Sequence, residues 1–178
     1  MKILVIRHGQ TNWNVKNRIQ GRTDTNLNQK GIEQAYEVSK NLEDKKIDLI
    51  ISSPLKRTRQ TAEVINNKRN IPMIIDNRLI EISYGEMEGK LANEIKNREG
   101  FGNMVEGKVY KNAETSEDFI KRVFDFLEDL KDLKKDNILL VTHNEVCKAI
   151  AIYFNGLSFG NNMKNLGMKN CEVVTYDI

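Results

Sequence analysis

Side chains that can bind anions or transfer protons follow the ends of several apolar runs in this sequence. The first run, Ile3–Ile6, leads directly into Arg7 and His8. Three other runs are followed in the same way, by Arg57 in "LIISSPLKRTRQT", by Glu81 in "MIIDNRLIEISYGEMEG" and by His143, the other histidine of the chain, in "NILLVTHNE". If the runs are strands of one parallel sheet, their carboxyl ends share an edge, which is where such sheets bind ligands. We therefore expect these side chains to meet in one crevice.

Two arginines and two imidazoles in one crevice would bind a compact dianion, because guanidinium donors match phosphate oxygens in geometry. That neutralisation needs no metal ion. The nucleophile is best sought among the histidines, since neither cysteine stands at a strand end and Ser52 and Ser53 lack the G-x-S-x-G elbow. A neutral imidazole can attack phosphorus when its other ring nitrogen is fixed by a hydrogen bond, and flanking arginines lower its pKa. His8, beside Arg7, fits that requirement.

The hydrophobic pattern predicts the sheet that would bring these residues together. Short β-branched runs indicate strands, several of them buried on both faces, and stretches of helical periodicity lie between them. This alternation predicts an α/β fold of three layers, with a mostly parallel central sheet flanked by helices. The predicted strands are Ile3–Ile6, Leu49–Ile51, Met73–Ile75, Ile138–Val141 and Val173–Tyr176.

Four helices are predicted between the strands. One follows the spacing of Ile32–Leu42, and the next continues to Ile65 with Pro54 in its first turn. The clearest runs over Ser116–Lys134, where apolar residues line one side, and the last spans Val146–Phe154. We predict a single domain over residues 1–178.

Residues 85–112 depart from this pattern, because they are rich in glycine and show no sustained period. We predict a loop-rich excursion that carries one short helix near Leu91–Arg98 and covers a site. Its apolar residues would line or cover the crevice and favour a partly apolar leaving group. They are Phe101, Met104, Val105 and Tyr110.

Composition limits the partners of the chain. A net charge of +3, from 28 basic and 25 acidic residues, falls short of the basic footprint of a nucleic-acid binder but suits small anionic substrates. The two cysteines show no CxxC spacing and favour free thiols over a disulfide framework. With no signal-peptide pattern and no apolar run of membrane-spanning length, we expect a cytoplasmic protein without a membrane partner.

Four segments of the sequence carry a family resemblance. "RHGQTNWN", "SSPLKRTRQTA", "EISYGEMEG" and "VTHNEV" resemble, in order and spacing, the signatures of the histidine phosphatase superfamily, which includes the cofactor-dependent phosphoglycerate mutases. The resemblance covers the chain from Ile3 to about Ile152. It implies a phosphoglycerate mutase-like fold, a place in the small phosphatase branch, and hydrolysis of a small phosphorylated substrate without metal or cofactor.

The resemblance also implies a role for each matching residue. His8 would accept the phosphoryl group, and Arg7, Arg57 and His143 would stabilise charge on its equatorial oxygens. Glu81 would protonate the leaving oxygen and then activate the water that hydrolyses phosphohistidine. The substrate-binding positions that it implies are Asn14, Gln20, Gly21 and the backbone amide of Asn144.

Several of these assignments have alternatives. Glu86 and Glu88 lie close to Glu81, and Asn14 is equally suited to capping a turn. Gly21 can be a turn glycine, since glycine tolerates positive φ. The segment after His143 departs from the family pattern of paired glycines: Asn144 tolerates unusual backbone angles, and Glu145 would add a negative charge near an anion site.

Three other functions stay open beside a phosphomonoesterase. A phosphoglycerate mutase that depends on 2,3-bisphosphoglycerate would return the phosphoryl group to a bound product, although mutases carry a longer insertion before the second histidine. An α-ribazole-phosphate phosphatase is suggested by overall size and the stretch "GRTDTNLNQKGIEQA". A noncatalytic phospho-ligand module is disfavoured, because His8 and Glu81 are both present.

Overall fold

Within residues 1–94, 110–157 and 163–177, which the computed structural model describes, five strands form one sheet in the order β3-β2-β4-β1-β5. β5 runs antiparallel to β1, and the other neighbouring pairs are parallel. All five predicted strands are confirmed. They are β1 Lys2–Arg7, β2 Leu49–Ser52, β3 Met73–Ile75, β4 Asn137–Thr142 and β5 Val173–Asp177.

Helices cover both faces of the sheet, because alternate residues of its strands point to opposite sides. Ile3 and Val5 of β1 belong to a buried cluster with the two later long helices, whereas Leu4 and Ile6 belong to a cluster with the two earlier ones. The predicted three-layer α/β fold is therefore confirmed. The helices are α1 Asn12–Val15, α2 Gln29–Asn41, α3 Lys56–Asn66, α4 Ser116–Leu130 and α5 Asn144–Asn155, with 3-10 turns at Asn77–Leu79, Gly85–Met87 and Met163–Leu166.

Burial differs between the centre and the edge of the sheet. The central strands β1, β2 and β4 are almost wholly buried, as predicted for strands covered on both faces. β3 is different: Met73, Ile74 and Ile75 are 37%, 49% and 45% exposed. β3 pairs with β2 alone, so it forms an edge of the sheet.

Helix ends differ from the sequence predictions for local physical reasons. α3 begins at Lys56, and Pro54 precedes it rather than occupying its first turn, because Leu55 is still extended. α4 ends at Leu130, four residues before the predicted end, because residues 131–136 are exposed and no packed face stabilises further turns. The four-residue helix α1, none of whose residues is buried, was not predicted.

The predicted excursion is described at its two ends. Residues 91–94 form a turn, and the rest of the predicted helix near Leu91–Arg98, together with Phe101, Met104 and Val105, lies outside the described residues. Tyr110 packs against a small cluster that includes Ile19. Among the described residues, the structure contains no helix of the length and apolarity needed to cross a membrane.

Candidate active site

The two histidines meet because their strands are neighbours. Arg7 lies opposite Thr142 in the parallel register of β1 and β4. His8 and His143 therefore each follow directly after the last residue of their strand. The backbone N–H of His8 donates to Thr142 O at 3.0 Å. The two imidazole rings lie edge to face, with centroids 5.3 Å apart and planes at 63°.

His8 has the tautomer that a nucleophile requires. The residue is 97% buried, and its Nδ1 lies 2.7 Å from the carbonyl oxygen of Gly9. A carbonyl oxygen only accepts, so Nδ1 carries the proton and Nε2 keeps its lone pair. Burial, followed by the charges of Arg57 and Arg7, lowers the pKa of His8 well below its usual value. The imidazole is thus neutral near pH 7.

His143 is the N-cap residue of α5 and is fully buried. Its Nε2 lies 2.7 Å from Ser53 Oγ, while its Nδ1 is buried without a partner among the described groups. Burial, followed by the charges of the nearby arginines Arg57 and Arg7, lowers the pKa of His143 well below the usual value. The ring is therefore a neutral group with one nitrogen available to a ligand.

Arg57 is buried to 99% near the start of α3. Its Nη1 donates to Thr23 O at 2.8 Å and its Nη2 to Gly21 O at 2.7 Å, which leaves a buried Nε without a partner in the described part of the chain. Burial lowers its pKa to about 10, while Glu81, Asp24 and Glu88 oppose that shift. The guanidinium stays charged at neutral pH and holds the loop at residues 21–23.

Arg7 supplies a second guanidinium, from a half-buried side chain. Its Nη1 donates to Met168 O at 2.5 Å and to Asn144 Oδ1 at 3.4 Å, and its buried Nε has no partner within the described ranges. Together with Arg57 Nε and His143 Nδ1, this makes three unpartnered buried nitrogens around the strand ends. Such groups are costly to leave unpaired, so their presence indicates a site for an anionic ligand.

Glu81 is a buried carboxyl group that holds a proton near neutrality. Its Oε1 accepts from the N–H of Ile82 at 3.0 Å, and its Oε2 from that of Glu145 at 3.4 Å. Burial, followed by the charge of Glu145, raises its pKa to about 7. Its backbone carbonyl accepts from Arg22 Nε at 3.2 Å and Arg122 Nη2 at 3.3 Å. The arrangement provides an acid whose backbone is held in place.

Comparison with known proteins assigns this site to a family. The sequence profile of the histidine phosphatase superfamily, branch 1, matches residues 3–178. The chain belongs to the histidine phosphatase superfamily. The match continues past Ile152, where the motif resemblance ends, and the structure gives a reason: Met168 binds Arg7, and Asn170 Nδ2 donates to His8 O at 2.9 Å.

Relatives of this histidine phosphatase carry phosphatase and mutase names. A candidate phosphoserine phosphatase of Hydrogenobacter thermophilus is 33% identical over 177 residues, which cover 97% of this chain and 87% of the relative. A probable phosphoglycerate mutase of Escherichia coli is also 33% identical, over 99% of this chain and 85% of its own. The crystal structure of the α-ribazole phosphatase of Shigella flexneri superposes with a TM-score of 0.90 at 28% identity, covering 100% of this chain and 91% of that one. The protein is a phosphatase of this family with a phosphoglycerate mutase-like fold.

The predicted substrate-binding residues occupy two different settings in this histidine phosphatase. Asn14 and Gln20 have side-chain oxygens engaged by Thr11, so Asn14 has the capping contact that its alternative interpretation predicted. Gly21 and Asn144 instead contact the two site arginines. Asn144 is the first residue of α5 and has no positive φ, so an unusual backbone angle is not needed there.

Two residues beside the site make contacts that the sequence analysis did not predict. Ser53 contacts His143, and Glu88 accepts four hydrogen bonds, including those from the N–H groups of Arg22 and Thr23 at 3.0 and 2.9 Å. Glu88 therefore binds N–H groups of the loop at residues 21–23, whose carbonyl groups bind Arg57. A carboxylate shortly after the predicted acid was the only available signal for Glu88, and none indicated the contact of Ser53.

Proposed function

We propose that this phosphatase hydrolyses a small phosphomonoester by way of a phosphohistidine at His8. His8 Nε2 attacks phosphorus as the phosphorus–oxygen bond to the alcohol breaks, and Glu81 gives its proton to the departing oxygen. Glu81 then takes a proton from water, whose oxygen attacks the phosphorus of phosphohistidine and releases inorganic phosphate and neutral His8. Atoms and charges balance over the two steps, and the enzyme returns to its starting state.

One observation carries the proposal: the Nδ1–H of His8 donates to Gly9 O, so its Nε2 lone pair is available beside three unpartnered buried nitrogens. Arg7, Arg57 and His143 can thus donate to the equatorial phosphoryl oxygens as charge develops there. This neutralisation comes from side chains, so turnover should continue in the presence of a chelator.

The free thiols Cys147 and Cys171 support our proposal of a cytoplasmic location.

The proposal is tested with a generic aryl phosphate, in the presence and absence of a chelator. We expect chelator-resistant turnover, an acid-labile phosphate on His8 after rapid quenching, and loss of both in His8→Ala. Thermal unfolding of the variant reports whether it folds. Turnover that the chelator abolishes, or a phosphate found elsewhere on the chain, contradicts the mechanism.

The acid is tested separately, because three carboxylates lie close together in the sequence. With an alkyl phosphate, whose leaving oxygen needs a proton, Glu81→Gln should lower kcat by about 100-fold or more. Glu86→Gln is the matched control, because Glu86 is an exposed neighbour and should leave kcat unchanged. Equal effects of the two substitutions would reject Glu81 as the proton donor.

Substrate identity is the finer part of the proposal. The relatives' names point to phosphoserine and α-ribazole phosphate, and we propose a small phosphorylated metabolite of this kind as the substrate. Comparing kcat/KM across a panel of such compounds tests it, and a flat profile would contradict a dedicated metabolic substrate.

Phosphoglycerate mutase is the second candidate, because a relative at 33% identity carries that name. Its test uses 3-phosphoglycerate with 2,3-bisphosphoglycerate present. Isomerisation faster than release of inorganic phosphate would establish the mutase and reject hydrolysis as the main reaction. We expect release of phosphate to be faster.

A further inference from the structure

Ser53 makes a buried contact for which the proposed mechanism gives no reason. β2 pairs with β4 in parallel, with Ser52 opposite Val141, so Ser53 lies level with Thr142, the last residue of β4, and His143 follows one residue further along. Ser53 Oγ lies 2.7 Å from His143 Nε2, and both residues are completely buried. No water can therefore compete for the hydroxyl group from bulk solvent.

The protons of this contact can be counted. Ser53 Oγ accepts weakly from the N–H of Leu55 at 3.5 Å, and His143 Nε2 is the one acceptor for its hydroxyl proton among the described residues. The hydroxyl therefore donates to Nε2. A neutral imidazole has one N–H group, which must then be on Nδ1. His143 Nδ1 is the buried ring nitrogen that has no protein partner in the described part of the chain.

We propose that Ser53 is a positioning residue that holds His143 in the Nδ1–H tautomer, so that the ring donates a hydrogen bond to the transferring phosphoryl group. This inference rests on the proposed role of His143 as a phosphoryl ligand. The opposite tautomer would present an Nδ1 lone pair to the anion, and the hydroxyl proton of Ser53 would have no acceptor. The lowered pKa of His143 supports a neutral ring, for which the choice of tautomer matters.

The chain offers a matched control. Ser52 is the preceding residue and is also fully buried, but its hydroxyl donates to Ser53 O at 2.9 Å and not to a histidine. Ser52→Ala removes a buried hydroxyl without touching His143. Ser53→Ala should lower kcat/KM by about 10- to 100-fold, the range seen when the partner that orients a metal-ligating histidine is removed. Ser53→Thr, which keeps a hydroxyl, should restore most of that loss, and Ser52→Ala should leave kcat/KM near the wild-type value.

The tautomer can be read directly by long-range proton–nitrogen NMR on tag-free protein, because the chain has only two histidines. Spectra of His8→Gln assign the remaining signals to His143. We expect a protonated Nδ1 in the wild type, Ser52→Ala and Ser53→Thr, and a mixed or Nε2-protonated ring in Ser53→Ala.

A wild-type His143 protonated on Nε2 would overturn the proposal, whether or not the Ser53 variants fold. So would a Ser53→Ala protein that keeps the wild-type tautomer, or a Ser52→Ala protein with the same activity loss as Ser53→Ala. The outcome is separate from that of the proposed function, since the NMR signal reports the ring in resting enzyme. Absence of phosphate on His8 would reject the phosphohistidine mechanism even where Ser53 sets the tautomer.

Discussion

Replacing Gly21 by alanine tests how the loop at residues 21–23 is held over the site. Gly21 has a φ of +50°, and a Cβ built there would lie 2.1 Å from Glu88 Oε1, 2.6 Å from its Cδ and 3.0 Å from its Cγ. The alanine therefore has two costs. The left-handed backbone costs about 1–2 kcal/mol, and the Glu88 carboxylate must also move.

Moving the carboxylate breaks specific hydrogen bonds. Oε1 of Glu88 accepts from the N–H of Arg22 at 3.0 Å and from that of Tyr84 at 3.1 Å. A hydrogen bond to a charged group contributes about 1.5–3 kcal/mol, so losing both adds about 3 kcal/mol or more to the backbone cost. We expect Gly21→Ala to lower the free energy of unfolding by about 4 kcal/mol or more.

Gly156→Ala is the matched control, because Gly156 has a φ of +61° with nothing within 4 Å of the added Cβ. It has the backbone cost alone, about 1–2 kcal/mol. Urea unfolding of the two variants, followed by circular dichroism, measures the difference. Gly21→Ala should also lower kcat/KM, because Gly21 O accepts from Arg57 Nη2, whereas Gly156→Ala should not.

A double-mutant cycle makes the reasoning refutable. In a Glu88→Ala background the clash is gone, so Gly21→Ala should then cost no more than Gly156→Ala. The account of the loop is wrong if the loss of unfolding free energy in Gly21→Ala lies within about 1 kcal/mol of the loss in Gly156→Ala. It is also wrong if Gly21→Ala costs as much in the Glu88→Ala background as in the wild type.

Three other predictions concern the nucleophile and the acid. The alkaline limb of the kcat/KM profile should lie near pH 7, because Glu81 donates its proton only when protonated. Glu145→Gln removes a neighbouring negative charge, which lowers the pKa of Glu81 and should move this limb to lower pH. A limb that does not move would contradict the electrostatic coupling of Glu81 to Glu145. Gly9→Ala should slow phosphorylation by at least about 10-fold in quenched-flow assays, since its Cβ would lie 2.5 Å from Gly31 O and the backbone next to the nucleophile must shift. Glu114→Gln should lower kcat by a larger factor than it raises KM, because Glu114 binds Arg22 and Arg122, which donate to the backbone carbonyl of Glu81. A change in KM alone would argue against this supporting role of Glu114.

Local pattern was enough to predict the strands and the residues that follow them. Ile3–Ile6 and Ile138–Val141 are continuous β-branched or aliphatic runs, and a polar residue after such a run must lie at the sheet edge. Helix ends were harder to predict, as at Pro54, because they depend on capping and packing contacts that adjacent residues do not specify. The exposure of β3 could not be predicted either, because the sequence of three apolar residues does not indicate whether a strand lies at the centre or at the edge of a sheet.

The side chains of the site were visible in the sequence because each adjoins a strand or follows one by a few residues, but their chemical states were not. The proton of His8 is fixed by a neighbouring carbonyl, whereas the pKa of Glu81 depends on burial and on a carboxylate 64 positions away. The partner of His143 is 90 residues distant, and that of Arg7 is 161. Sequence by itself determined which groups reach the crevice, since backbone periodicity is local. Only the tertiary structure decided their protonation, tautomers and partners, because hydrogen bonds and desolvation depend on which distant segments the fold brings into contact.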